Sequence, residues 1–165
     1  MRYIGSALMA SVVLLGACGG GEAKKDDAKP ADAAATATPA AAATATGTAM
    51  PVTGKTIEIK MIGDATGYKF EPANVTISTG DGIKFVVVGG GPHNVAFDGT
   101  KLPADVKAQL DANFGTDKMG ELSSGLKMGP GDAITISFAG IKPGTYDFNC
   151  TPHLANNMKG TVTVK

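Results

Sequence analysis

The stretch Gly144-Thr145-Tyr146-Asp147-Phe148-Asn149-Cys150-Thr151-Pro152-His153, continued by Leu154-Ala155-Asn156-Asn157-Met158, carries both a strand and a set of metal donors. Tyr146, Phe148 and Cys150 recur at period two, which places all three on one face of a strand and brings Cys150 out on the core side. Past the strand, two residues separate Cys150 from His153 and four separate His153 from Met158, so a thiol, an imidazole and a thioether share one short loop. Soft sulfur donors beside imidazole select copper, zinc or iron, and two His, one Cys and a remote Met form the ligand set of a blue-copper centre. The chain has two histidines. The other, His93, lies in Gly89-Gly90-Gly91-Pro92-His93-Asn94-Val95, directly after the apolar run from Ile83 to Val88. His93, Cys150, His153 and Met158 are therefore the candidate metal ligands. Structural zinc sites use closely spaced pairs of Cys or His, and such pairs are absent here.

The segments Gly91-Pro92-His93-Asn94-Val95 and Gly144 to His153 resemble the two copper-binding segments of plastocyanin and its cupredoxin relatives, with a likeness running from about Ile57 to Val164. The resemblance implies one type 1 copper per domain, held by His93, Cys150, His153 and Met158. It implies one-electron transfer without chemical change to a substrate. It further implies that Asn94 ties the His93 segment to the Cys150 loop through the backbone at Thr151, supporting the ligands from behind. Pro92 and Pro152 stiffen the backbone beside two ligands and remove amide donors there. The electron is expected to leave through the edge of His153, ringed by Gly90, Pro92, Pro152, Leu154 and Ala155. At the position before Cys150 the family often has an aromatic residue, and here stands Asn149. A photosystem partner is therefore not expected. Transient partners such as c-type cytochromes, or a terminal reductase or oxidase, are expected instead. Copper oxidases and nitrite reductases need further histidines for a second centre, so the chain reads as a carrier and not an enzyme. The alternatives are a copper-binding module for storage, delivery or resistance, and a lipoprotein that keeps the fold without redox work.

Outward from these segments, strand and turn signals continue. Ile57, Ile59 and Met61 alternate with Glu58 and Lys60; Val75 and Ile77 alternate with Thr76 and Ser78; Ile134, Ile136 and Phe138 alternate with Thr135 and Ser137. Ile83 to Val88 is nearly continuous, as in a strand covered on both faces. Seven or eight short strands in about 110 residues predict an all-β protein, a β-sandwich of antiparallel sheets; Greek-key connectivity is what the resemblance adds. Between Asp98 and Pro130 the strand pattern lapses. Leu102, Val106, Leu110 and Phe114 recur every four residues around Pro103, predicting one short helix in an inserted loop, and Gly115 to Gly129 reads as flexible loop.

Residues 1–17 combine Arg2, an apolar stretch from Ile4 to Leu15 too short to span a bilayer, and the small residues Gly16-Ala17 before Cys18. This resembles a bacterial lipoprotein signal peptide, with Cys18 as the lipid attachment site. Residues 18–53 are rich in Ala, Thr, Gly and Pro, with no apolar periodicity that could build a core, and read as a disordered tether. As a flexible coil such a tether averages roughly 30 Å end to end, and fully extended it reaches about 110 Å. Residues 54–165 form the cupredoxin-like domain. Formal net charge is zero over the chain, and acids balance lysines within the domain, so a nucleic-acid partner is not expected and long-range steering is modest. The expectation is an exported, monomeric lipoprotein on the periplasmic or cell-surface side of a bacterial membrane.

Overall fold

The computed structural model describes residues 48–165. The expected signal peptide, Cys18 and the tether through residue 47 lie outside the described residues. Two sheets face each other. One has the order β2-β1-β4-β8, built from β1 (Thr56–Asp64), β2 (Gly67–Glu71), β4 (Gly82–Gly89) and β8 (Ala133–Ser137). The other has the order β3-β10-β9-β5-β7-β6, built from β3 (Asn74–Ile77), β5 (Ala96–Phe97), β6 (Lys118–Gly120), β7 (Ser123–Ser124), β9 (Gly144–Asn149) and β10 (Lys159–Val164). The chain crosses between sheets after β2, β3, β4, β7 and β8, as in a Greek-key sandwich.

Alternation in sequence becomes alternation in burial. Ile59 and Met61 of β1, Ile136 of β8 and Phe148 of β9 point between the sheets, where Phe70, Phe85 and Phe148 pack edge to face with centroids 4.8 to 5.9 Å apart. Three expectations need correction. The sheets are mixed and not purely antiparallel, since β1 pairs with β4 and β3 with β10 in parallel register. Strand β4 is covered on one face only: Ile83, Phe85 and Val87 are buried while Lys84 and Val88 are exposed, because among the described residues the outer face of its sheet carries no further layer. The segment from Gly115 to Gly129 is not plain loop, because it contains the hairpin β6–β7.

The helix forms where expected, as α1 (Ala104–Ala112). It starts after Pro103 and buries Val106 and Leu110, with Phe114 following into the core. Asp111 at its end holds the hairpin: Oδ1 accepts from the Leu122 amide and Oδ2 from the Lys118 ammonium, each at 2.7 Å. Tyr146 donates to the Lys142 carbonyl at 2.6 Å and pins the turn before β9. At the start of the described chain, the amides of Thr53 and Gly54 both donate to the Gly80 carbonyl, and Val52 packs over Gly82.

Candidate metal centre

Three loops meet at the end of the sandwich where β4 and β9 finish and β10 begins. After β4 the backbone turns through Gly90 at φ +71°, where a Cβ would overlap the backbone of Gly63, so the position demands glycine. The turn delivers His93 inward, with the His93 and Lys127 amides exchanging hydrogen bonds at 3.0 and 2.7 Å. After β9, the residues Thr151–Asn156 form a 3-10 turn that closes at Asn157, which adopts the left-handed conformation asparagine tolerates. Across this loop the Cys150 amide donates to the Met158 carbonyl at 3.0 Å and the Met158 amide to the His153 carbonyl at 3.2 Å. The backbone thus fixes the loop before any side chain is considered.

The donor atoms of His93, Cys150 and His153 all lie within 4.8 Å of one another, and all three residues are buried. Nε2 of His93 lies 2.9 Å from the Gly89 carbonyl. A carbonyl can only accept, so Nε2 carries the proton and Nδ1 keeps its lone pair. Nδ1 of His93 is 3.7 Å, and Nδ1 of His153 3.4 Å, from Cys150 Sγ. Burial pushes the Cys150 thiol up, with the amides of Asn94 and His153 acting the other way. Burial first, and then the neighbouring His93, push the His153 imidazole down. Both effects favour the neutral, ligating form of the His153 imidazole. The buried sulfur needs a cation beside it to exist as thiolate. A soft, thiolate-binding metal ion supplies that charge, so the donor set fits copper. Met158 is fully buried at the base of the loop.

Asn94 has no exposed surface and makes the contacts that join the loops. Its Oδ1 accepts from the Thr151 amide at 2.7 Å, and its Nδ2 donates to Ser123 Oγ at 3.0 Å and to Thr151 Oγ1 at 3.3 Å. Its backbone amide faces Cys150 Sγ at 3.5 Å. Around His153, which is 9 % exposed, Gly90, Pro152, Leu154 and Ala155 are exposed and Pro92 is half-buried. Asn149 is half-buried at the end of β9.

Sequence reasoning missed Tyr68. Its ring stacks on His153 with centroids 3.7 Å apart and planes 13° apart, and it meets His93 edge-on at 6.2 Å. Room for it comes from Gly63, where a Cβ would sit 2.6 Å from the ring. A signal was present, because Tyr68 shares the inward parity of Phe70 on β2 and so faces the site end of the sandwich. Ser123 and Ser124, which serve Asn94 and the Val95 amide, had no such signal.

Residues 57–165 match the family model described as copper binding proteins, plastocyanin/azurin family. The plastocyanin of Prochlorothrix hollandica is 38% identical over 117 residues, covering 71% of this chain and 79% of that protein. The plastocyanin of Dryopteris crassirhizoma is 37% identical over 105 residues, 63% of this chain and 96% of that one. The solved oxidised form of the latter aligns with a TM-score of 0.49 at 34% identity, over 66% of this chain and all of that one. The chain belongs to the plastocyanin/azurin family of copper-binding proteins, with His93, Cys150 and His153 as its candidate copper site.

Proposed function

We propose that this protein is a one-electron carrier whose copper is held by His93, Cys150, His153 and, as a weak fourth donor, Met158. The observation that carries the reading is the convergence of two Nδ1 atoms on a buried cysteine sulfur, directly beneath an exposed rim. Copper held by these residues would supply a one-electron couple between Cu(II) and Cu(I). The protein's part is to keep the donors where both oxidation states accept them, so that little rearrangement accompanies transfer. Gly89 fixes the His93 ring through Nε2, Tyr68 fixes the plane of His153, and Asn94 holds Thr151 beside the cysteine. The rim of Gly90, Pro92, Pro152, Leu154 and Ala155 carries no charge and suits brief docking to a redox partner. Both histidines of the chain sit in this centre. No histidine remains for a second copper at which a substrate could be reduced, which supports a carrier over an enzyme.

The finer reading is a monomer exported and anchored through lipid on Cys18, with the expected tether of residues 18–53 ending where Val52 and Thr53 meet the sandwich, and 54–165 as the working domain. It would exchange electrons with c-type cytochromes or a terminal reductase or oxidase outside the cytoplasmic membrane. Mass spectrometry of the membrane-extracted protein tests the anchor, which fails if Cys18 is unmodified. Visible absorption of the protein with added Cu(II) tests the carrier. An intense thiolate-to-copper band that bleaches on reduction and returns on oxidation is expected. Absence of the band overturns the ligand assignment to Cys150 and leaves copper storage or delivery as the reading.

A further inference from the structure

Met119 on β6 is 56 % exposed, yet its Sδ lies 3.8 Å from Nδ2 of the fully buried Asn94. That Nδ2 has two hydrogens and three acceptors within reach: Ser123 Oγ, Thr151 Oγ1 and Met119 Sδ. A thioether is the weakest acceptor of the three, so the hydroxyls hold the amide. Other methionines differ in one respect or the other. Met61 and Met158 are fully buried, while Met50 and Met128 are exposed without a hydrogen bond to this network. Among the described residues, Met119 alone offers its sulfur both to solvent and to the group that braces the Cys150 loop.

We propose that Met119 is a site of reversible oxidation through which a peroxide resets the Asn94 brace. The sulfur attacks hydrogen peroxide, an S–O bond forms as the O–O bond breaks, and the second oxygen leaves as water. Sulfur loses two electrons and the peroxide gains them. The sulfoxide oxygen is a strong acceptor carried on an atom already beside Nδ2, so it draws an N–H away from Ser123 or Thr151. Cys150 feels the change by two routes, because Asn94 Oδ1 holds the Thr151 amide and the Asn94 amide faces Sγ. Methionine sulfoxide reductases restore the thioether with electrons from thiols, so the change is reversible. The effect on copper rests on the carrier reading; the oxidation and its effect on Asn94 do not.

The test treats the full-length protein with hydrogen peroxide, with and without copper, and locates added oxygen by site-resolved mass spectrometry. In the copper-free protein, the Asn94 side-chain amide resonances should shift in proportion to sulfoxide at Met119, and return after reductase treatment. In the copper-loaded protein, the thiolate-copper band should shift over the same course. Met119→Leu should abolish both shifts while Met50 and Met128 still oxidise, and Met128→Leu should abolish neither. If Asn94 resonances stay unmoved in protein oxidised at Met119, or still move in Met119→Leu, the proposal is wrong. A shift at Asn94 in a protein that shows no thiolate-copper band would keep the oxidation site and remove the carrier reading.

Discussion

Replacing Asn94 with alanine asks how much of the site is held by one side chain. Three hydrogen bonds of 2.7 to 3.3 Å are lost, to the Thr151 amide, Ser123 Oγ and Thr151 Oγ1. Each such bond contributes about 0.5–1.5 kcal/mol net, and a partner left unpaired in a dry site costs more. Ser123 is half-buried and Thr151 exposed, so water can reach the orphaned groups and the larger penalty is muted. The expected loss is therefore about 2–4 kcal/mol. With a urea m value of about 2 kcal/mol/M, the midpoint falls by about 1–2 M. Urea unfolding of the copper-free protein is the right assay, because metal affinity then plays no part. A loss below about 0.5 kcal/mol would show that water replaces the side chain at no cost, and would refute the idea that Asn94 sets the spacing of the two loops.

Three further predictions follow from other parts of the molecule. Asp111→Ala should cost about 1–3 kcal/mol in urea unfolding by leaving the buried Leu122 amide unpaired. Partial burial raises the Asp111 carboxyl, but the Lys118 ammonium and the Leu122 amide outweigh it and hold the group below the ordinary aspartate value. Its contribution is thus fully present above that ordinary value and disappears as pH falls through the lowered one, so the variant should show a shallower acid limb in stability against pH. Gly90→Ala should lose at least about 2 kcal/mol, from the left-handed backbone at φ +71° together with overlap on Gly63; thermal unfolding measures it, and an unchanged midpoint would mean the turn can re-form elsewhere. Tyr68→Leu should cost about 0.5–1.5 kcal/mol beyond lost area and shift the His153 ring proton resonances, since the stacked face disappears; unmoved resonances would show that the stack does not orient the imidazole.

Much of this architecture was legible because period-two alternation survives in β1, β8 and β9, and because Cys150, His153 and Met158 sit on a loop too short to rearrange. Legibility stopped where structure depends on partners distant in sequence. Nothing in Ile57 to Met61 announces that its neighbour is the parallel β4 and not an antiparallel strand. The hairpin β6–β7 has no apolar alternation, since Lys118, Met119 and Gly120 are all exposed, and it exists because Asp111 and Asp117 hold it from outside: Lys127 pairs with Asp117, and the Gly125 amide donates to the Asp117 carbonyl. The apolar run of β4 promised two covered faces, but Val88 shows that hydrophobicity alone does not bring a second layer. Tyr68 was on the correct face by parity, yet its partner lies on a loop more than eighty positions away.

The bonds from Thr53 and Gly54 to Gly80 fix where the chain joins the sandwich. Gly80 lies next to Thr79, whose amide donates to the Lys165 carbonyl at the far end of β10. β10 begins beside Met158 and spans six residues, which is about 20 Å of strand. Attachment and metal loop therefore occupy opposite poles. The described chain thus enters the sandwich at the pole that does no chemistry, and a pull or a fusion applied at Thr53 and Gly54 would load that pole and spare the His153 edge.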